Sequence, residues 1–443
     1  MFRYFLPFGM ASLLLAPAMA QPTTLLSASN SYNPSVYGSA DRIAGVESAG
    51  AMTLQQALDL AMQANAELGA ARSEIEAVGA TIRQAGARPN PELAILLEDT
   101  RSQTRESTFQ INQTIELSGK RASRITAATL AQAVATAELV IKTADLQANV
   151  ITAFFDVLGA QERLALTTTS AGLAQRGSDV AARRVVAGKV SPVEETRARV
   201  AASSVQLELN QARAELVNAR KRLAATWGNP APRFEWVQGD FTSLPAMPND
   251  AAVAERLARA PELGRARFEV ERRRALADVE QRRRTQDITV SLGAKKLGSE
   301  SGGRTQAIVG VSMPLPLFDR NQGNTLEALR RTDKARFELT ATEVRLNSEV
   351  SQASRRLEAA RSNAELLQRD IVPGAQSAFD AATKGYEFGK FGFLDVLDAQ
   401  RTLLLARSQY LTSLSEAYKA AADIDRLLGS APVLTADPSA NRP

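Results

Sequence analysis

The strongest constraint on the fold is an internal repeat: the second half of the chain repeats the first at an offset of about 200 residues. The turn-like pair Gly188-Lys189 recurs as Gly389-Lys390, and Ala66-Glu67-Leu68-Gly69 recurs as Pro261-Glu262-Leu263-Gly264. Apolar positions recur in the same way, since Leu139, Leu146, Val150 and Val157 correspond to Leu339, Leu346, Val350 and Leu357. We therefore predict two copies of one structural unit, at 51–240 and 241–430, joined through the proline-rich stretch 229–250.

Within each copy the hydrophobic periodicity changes from helix to strands and back to helix. The first helical stretch covers 53–87 and ends before Pro89, whereas its counterpart at 250–284 is interrupted near Pro261. Alternation of apolar and polar side chains then predicts two strands in each copy, because successive strand residues point to opposite faces. The predicted strands are 92–99, 109–117, 287–292 and 309–315, with a short additional strand at 234–238.

A very long helix follows each pair of strands. Ser118 and Asp319 are the predicted N-caps, and helix-compatible sequence continues from them to about 186 and about 388. A helix of this length extends about 100 Å, and its apolar residues recur at seven-residue spacing, which indicates coiled-coil packing. Gly188 and Gly389 then predict sharp turns into returning helices at 192–226 and 393–428.

The strands have the length that a tilted strand needs to cross a bilayer, about 9 to 11 residues. If their apolar faces contact lipid, the strands must close into a barrel, and four are too few to do so. Two copies would supply eight strands and three would supply twelve; only twelve leave an open lumen, which suits the polar residues Gln110, Asn112, Thr289 and Ser291. The alternative is two β-hairpins that pack on a soluble core. We expect a mainly α fold with a transmembrane β-barrel portion.

The N-terminal residues have the pattern of a secretory signal peptide. Arg3 precedes an apolar stretch, and Ala18-Met19-Ala20 is a small-x-small cleavage motif that places the cut between Ala20 and Gln21. We predict a signal peptide at 1–20, an extended segment at 21–50 and a flexible tail at 431–443. We expect no later segment to be long and apolar enough for a membrane helix.

Composition excludes several classes of chemistry. The chain has no His and no Cys, so it has no imidazole or thiolate for nucleophilic catalysis or tight metal binding. It lacks a phosphate-binding Gly-x4-Gly-Lys motif as well. A net charge of +5 is small for a nucleic-acid binder, and the arginine clusters 272–274 and 282–284 are typical of solvated helix faces. We expect no enzyme activity, no cofactor, no metal site and no nucleic-acid partner.

Several motifs in combination resemble the TolC family of outer-membrane efflux proteins, over essentially the whole mature chain. They are Arg88-Pro89-Asn90-Pro91, the run Glu116-Leu117-Ser118-Gly119-Lys120-Arg121, the run Pro314-Leu315-Pro316-Leu317-Phe318-Asp319-Arg320-Asn321-Gln322-Gly323, and Gly389 with Phe393-Leu394-Asp395-Val396-Leu397-Asp398-Ala399. The second and third runs resemble the heavy-metal branch associated with cobalt–zinc–cadmium resistance pumps.

The resemblance implies a homotrimer with one twelve-stranded barrel in the outer-membrane lipid of a Gram-negative bacterium, extended by a long periplasmic α-barrel. It implies a passive efflux duct for heavy-metal cations, docked on a periplasmic adaptor and an inner-membrane pump of the RND class. Residues of the two tip turns would contact the adaptor: Gly188, Lys189, Ser191, Gly389, Lys390 and Gly392. Two alternatives stay open, namely a duct for drugs or type I secretion and a periplasmic coiled-coil adaptor or scaffold without a pore.

Acidic residues at the last turn are the candidate gate. Asp395 and Asp398 lie on one helix face, and Glu194 is the counterpart of Asp395 at an offset of 201. In a trimer they would form a carboxylate ring that favours cations; the alternative is that these acids only complement helix dipoles. The resemblance aligns both aspartates with an acidic constriction and Tyr386 with a tyrosine that closes the tip, against Glu194. Phe391 occupies the position of an arginine in that closure, so we expect a weaker or differently built one.

Overall fold

The computed structural model describes residues 47, 49–99, 101, 104–241, 243–298 and 303–429. The predicted signal peptide 1–20, with its cleavage point at Ala20 and Gln21, lies outside these residues, as do most of 21–50 and the predicted tail 431–443.

The described part of the first half contains short helices, a pair of strands and a long helical hairpin. Its elements are β1 (Ala51–Thr53), α1 (Leu54–Ala64), α2 (Ala66–Gly86), β2 (Glu92–Glu98), β3 (Glu106–Ile115), α3 (Lys120–Val186), α4 (Pro192–Ala225) and β4 (Trp236–Gln238). The predicted long helix and its returning helix are therefore present nearly as expected. The turn between them has Gly188 in the left-handed region, at φ 67°.

The second half has the same order of elements from its first helix onward. Its elements are α5 (Asp250–Ala258), α6 (Pro261–Arg282), β5 (Ile288–Leu297), β6 (Arg304–Ser312), α7 (Gln322–Leu366), a π-helical turn (Leu367–Ile371), α8 (Val372–Glu387) and α9 (Phe393–Leu428). Gly389 between the last two helices has φ 71°. The shared order supports the division into 51–240 and 241–430, which stays a prediction.

The expectation of one unbroken helix over 53–87 is wrong. Asn65 has extended backbone angles and separates α1 from α2; its side-chain oxygen accepts a hydrogen bond from the N–H of Leu68, at 3.0 Å. Its side-chain amide donates to the carbonyl of Thr226 at the end of α4, at 2.8 Å. An asparagine that caps one helix and reaches another element breaks a helical pattern that is continuous in sequence.

Both predicted N-caps of the long helices are wrong as well. The caps are Gly119 and Asn321, both with left-handed backbone angles, and neither makes a side-chain capping bond. Ser118 is itself left-handed at φ 58°, and its carbonyl accepts from Arg282 at 2.7 Å. The carboxylate of Asp319 accepts instead from the N–H of Asn321, at 2.8 Å. The chain turns sharply from strand to helix here, so the extended backbone of an ordinary N-cap does not occur.

The four long strands form one antiparallel sheet in the order β2-β3-β5-β6. β3 and β5 differ from their predicted limits by several residues, and β6 ends at Ser312 instead of continuing to 315. Pro314 explains that end, because proline has no N–H to donate to the ladder. The short strand at the joint begins at Trp236 and pairs in parallel with β1, which sequence periodicity did not predict.

The helices lie side by side, with one set of neighbours near the sheet and another toward the tip turns. Near the sheet the neighbours are α2, α3, α6 and α7, in that order, and toward the tip turns they are α4, α3, α9 and then α7 and α8. Within the part of the chain that the structure describes, one helix, α3, contains a stretch that by length and composition would suit a membrane span. The expectation that no such stretch follows the signal peptide is therefore wrong.

The largest cluster of buried residues lies where the two halves meet at the joining segment. Phe154, Trp227 and Phe234 are buried there. The ring of Tyr418 from α9 stacks on Phe155 of α3 with centroids 3.6 Å apart, and its hydroxyl donates to the carbonyl of Asp240 at 3.1 Å. Burial raises the pKa of Tyr418 to about 12. This aromatic stack holds α3 and α9 against Asp240 and Phe241 of the joining segment.

Candidate functional site

The sheet has one apolar and one polar face. A row of apolar side chains crosses all four strands, because Leu93 lies opposite Ile111, Ile111 opposite Leu292, and Leu292 opposite Val309. The large apolar side chains of this face are about half or more exposed: Leu93, Ile95, Leu97, Phe109, Ile111, Ile115, Leu292, Val309 and Val311. An exposed apolar surface of this extent indicates a contact with lipid or another chain.

The opposite face carries the predicted polar residues, which form a hydrogen-bonded ladder. The side-chain oxygen of Asn112 accepts from Ser291 at 2.8 Å and from Gln110 at 2.6 Å. The hydroxyl groups of Thr114 and Thr289 lie 3.3 Å apart across the same pair of strands. The expectation that Gln110, Asn112, Thr289 and Ser291 share one face is confirmed.

Among the described residues, the outer strands β2 and β6 each pair on one side only. Their other edges present backbone N–H and C=O groups that have no strand partner among the described residues. Open edges of this kind are templates for pairing with another strand. The described part of the chain therefore forms both faces of the sheet but leaves its two outer edges available for pairing with other strands.

The predicted tip residues occupy two matching turns at the far end of the hairpins. The N–H of Lys189 donates to the carbonyl of Arg184 at 2.9 Å, and the N–H of Lys390 donates to that of Gly385 at 2.7 Å. Each bond closes a helix end around a left-handed glycine. Ser191 and Gly392 follow as the N-caps of the returning helices α4 and α9. The turns are thus hydrogen-bonded structures that expose both lysines.

The three predicted gate carboxylates lie at this end, Glu194 and Asp395 in the first turns of the returning helices and Asp398 one turn further along α9. Asp395 and Asp398 are exposed, and Glu194 is half-buried. The carboxylate of Asp395 accepts a hydrogen bond from the N–H of Gly392, at 2.9 Å. Asp395 therefore caps its helix, in agreement with the dipole interpretation, while Asp398 has no such role among the described contacts. A ring of these groups across three copies stays a prediction.

Tyr386 lies between the two hairpins and contacts an arginine that sequence reasoning did not identify. Its side chain is buried with Ala181 and Ala198 of the first hairpin. The guanidinium carbon of Arg184 lies 4.1 Å from the centroid of the tyrosine ring, and Nη2 of Arg184 donates to the carbonyl of Tyr386 at 3.3 Å. The only sequence signal for Arg184 is a basic residue in the last turn of a helix, which is common.

Phe391 packs on the backbone of Gly385, where any side chain at position 385 would overlap its ring. An aromatic ring therefore covers a glycine at this position, and the weaker or differently built closure stays a prediction. The described residues include no group of three or more His, Cys, Asp or Glu side chains arranged to hold a metal ion.

Comparisons with known proteins agree with this architecture. A sequence model described as outer membrane efflux protein matches residues 57–229 and 252–430, one segment in each half. The chain is 46% identical over 429 residues to the cobalt-zinc-cadmium resistance protein CzcC of Cupriavidus metallidurans, which covers 96% of this chain and 99% of that protein. It is 29% identical to the nickel and cobalt resistance protein CnrC of the same species, covering 68% of this chain and 71% of that protein.

The fold also matches a solved structure. The outer membrane protein VceC of Vibrio cholerae superposes with a TM-score of 0.71 at 20% identity, over 85% of this chain and 96% of that one.

Proposed function

The chain belongs to the outer membrane efflux protein family, and from that premise we propose that three copies assemble into one continuous duct. The observation that carries this proposal is the open four-stranded sheet, which has an exposed apolar face, a polar face and two free edges. The resemblance stated from sequence motifs is confirmed at the level of the family. The protein is an outer-membrane efflux component, and its family is not one of enzymes.

Closure of the sheet follows from the cost of unpaired backbone groups in lipid. Each unsatisfied N–H or C=O costs several kcal/mol in hydrocarbon, so an open edge is not stable there. Pairing β6 of one copy with β2 of the next removes both edges, and three copies supply twelve strands. The row from Leu93 to Val309 then faces lipid, and the ladder around Asn112 faces a water-filled lumen.

The helices extend this duct away from the membrane. α3 alone, with 67 residues, is about 100 Å long. We propose that the helical series of three copies forms a periplasmic tunnel, and that the two tip turns meet a periplasmic adaptor through the exposed Lys189 and Lys390. A duct of this kind is passive, so transport energy comes from an inner-membrane pump of the RND class.

We propose heavy-metal cations as the cargo. The relative with 46% identity is named for cobalt, zinc and cadmium resistance. Because the chain contains neither His nor Cys, its lumen offers only hydroxyl, amide and carboxylate ligands, which hold such cations weakly and release them. The second candidate is the alternative left open by the sequence, a duct for drugs or type I secretion.

Two measurements test the duct and its cargo. The protein should fractionate with the outer membrane as a detergent-stable trimer; a soluble monomer would contradict the duct and favour a scaffold. Deleting its gene should sensitise the cells to zinc, cobalt or cadmium, and expression of the parent chain should restore tolerance. Sensitivity to drugs alone would favour the second candidate.

The carboxylate ring has its own test in planar bilayers. Replacing Asp395 and Asp398 with Ala should lower the preference for cations over anions, because six carboxylates leave the tunnel end of a trimer. The matched control is Asp59→Ala, which removes an exposed carboxylate from α1, a helix whose buried face packs with the middle of α3 and not with the tip turns. Unchanged selectivity in the tip variant would contradict the ring and leave Asp395 with its helix-capping role only.

A further inference from the structure

The contact between Arg184 and Tyr386 joins the two hairpins close to their tips. Arg184 lies in the last turn of α3, and Tyr386 lies in the last turn of α8. The guanidinium is half-buried and the tyrosine is 8% exposed, so the cation meets the ring face away from bulk water. A desolvated cation–π contact is stronger than an exposed one.

The same guanidinium also neutralises helix ends. The carbonyl of Tyr386 is one of the last acceptors of α8, at the negative end of the helix dipole, and it accepts from Arg184 at 3.3 Å. Arg184 itself stands at the negative end of α3. The guanidinium of Arg184 therefore complements the negative ends of α3 and α8 and contacts the face of the Tyr386 ring. A neutral side chain at position 184 would not make these charge interactions.

Because the two halves differ in sequence at these positions, the Arg184–Tyr386 contact has no counterpart at the matching residues of the other half. At an offset of 201, the counterpart of Arg184 is Gly385 and the counterpart of Tyr386 is Val185. A glycine and a valine cannot form a cation–π pair, and the ring of Phe391 covers Gly385. In a trimer with six neighbouring hairpins, the contact would thus occur inside each copy and have no equivalent between copies.

We propose that Arg184 is the positioning residue of the closed tip: its guanidinium, through the ring face and main-chain carbonyl of Tyr386, holds the second hairpin against the first. We call this pair the Arg184–Tyr386 clamp. The proposal rests on the proposed duct and assigns the closure at its periplasmic end to the ring face of the tyrosine. Loss of the clamp releases the end of α8 and widens the tip.

Four substitutions separate the clamp from other roles of the two residues. Arg184→Gln and Tyr386→Leu remove the cation and the ring, whereas Tyr386→Phe keeps the ring face and the carbonyl. The matched control is Arg183→Gln, which removes an exposed basic residue from the same last turn of α3. A contact of this kind shifts a two-state equilibrium by roughly 2- to 30-fold.

Conductance of the purified trimer and uptake of a large hydrophilic antibiotic such as vancomycin measure opening of the tip. We expect Arg184→Gln and Tyr386→Leu to raise both, and the double variant to raise them no further than Arg184→Gln alone, because without the guanidinium the ring has lost its partner in the clamp. Tyr386→Phe and Arg183→Gln should behave like the parent chain. The clamp is refuted if Tyr386→Phe leaks as much as Tyr386→Leu, if Arg184→Gln matches Arg183→Gln, or if the two changes add.

Limited digestion with trypsin tests the clamp even if the protein forms no pore. Lys189 and Lys390 are exposed in the two turns, and Arg184→Gln should speed cleavage after them relative to Arg183→Gln. If the parent chain neither conducts nor reaches the outer membrane, the duct fails while this digestion still decides the clamp. Equal cleavage rates in the two variants would overturn the clamp whatever the fate of the duct.

Discussion

The two halves share an order of elements but fill their cores differently. Phe154 on α3 corresponds at an offset of 200 to Ser354 on α7, and Phe155 corresponds to Arg355, whose side chain is 81% exposed. Trp227 corresponds at 201 to Leu428. The aromatic volume lies beside the joining segment, where Phe154 contacts Gly239 and Phe155 stacks near Phe241. A duplicated backbone therefore leaves each core free to follow its own neighbours.

The long helices differ in continuity as well. α3 runs unbroken through Gly172, whereas the matching helix of the second half changes to a π-helical turn at Leu367–Ile371, just before Pro373. Pro373 is the counterpart of Gly172 at an offset of 201. Proline has no N–H and its ring crowds the carbonyl four residues earlier, so the preceding turn widens. The difference between Gly172 and Pro373 thus accounts for the break in the second helix.

Among substitutions that compare the two halves, Phe154→Ala should cause the largest loss of unfolding free energy. Truncating a fully buried aromatic side chain leaves a cavity and costs about 3–5 kcal/mol of unfolding free energy. Ser354→Ala at the matching position should cost within about 0.5 kcal/mol. Urea unfolding of the detergent-solubilised protein measures both. Similar losses from the two variants would mean that the aromatic core of the first half is not its dominant source of stability.

Gly172→Pro should have the next largest effect, because it moves the helix break into the first half. A proline inside a helix costs about 3 kcal/mol, and α3 has no widened turn to receive it. The reciprocal Pro373→Ala should change stability by less than about 1 kcal/mol, since the π-helical turn already accommodates either residue. The same unfolding experiment compares them; a tolerated Gly172→Pro would show that the two helices are equally adaptable.

Glu269→Gln should have the smallest effect on the unfolding free energy, and this effect depends on pH. Its burial favours the neutral acid, but hydrogen bonds from Arg272 and Arg273 outweigh that and lower the pKa of the carboxyl. A lowered pKa in the folded state contributes stability above the unfolded value of about 4.3, and this is lost as pH falls through the folded value. Glu269→Gln should therefore cost under about 1 kcal/mol at pH 7 and progressively less as the pH falls below the unfolded value.

The control for Glu269 is its counterpart Glu74→Gln, at an offset of 195. The positions that match the two arginines are Ala77 and Val78, which supply no guanidinium. Its stability should change little at either pH. A loss from Glu269→Gln that persists at pH 3 would assign the effect to packing instead of charge.

Local sequence signals predicted the elements well where one residue type has one physical role. Glycines at 188 and 389 marked both left-handed turns, and strand alternation separated the apolar from the polar face. The break at Asn65 and the strand Ala51–Thr53 were not predictable, because each depends on a partner far along the chain: Thr226 for the asparagine and Trp236–Gln238 for the strand.

The candidate site divides in the same way. Spacing alone predicted that Asp395 and Asp398 share one helix face, and the cap at Gly392 is a local neighbour of Asp395. Arg184 was missed because its partner Tyr386 is 202 residues away in sequence, and a basic residue at a helix end has many local explanations.

By itself, then, the sequence determined the repeat, the periodicity of each segment and the absence of imidazole and thiol chemistry. These are properties of residue type and spacing, which the chain carries before it folds. Only the tertiary structure decided how the two halves pack together, which strands pair and which arginine covers the ring of Tyr386. Such contacts join residues about 200 positions apart, and they form because burial and hydrogen bonding select one packing arrangement among many that the local pattern allows.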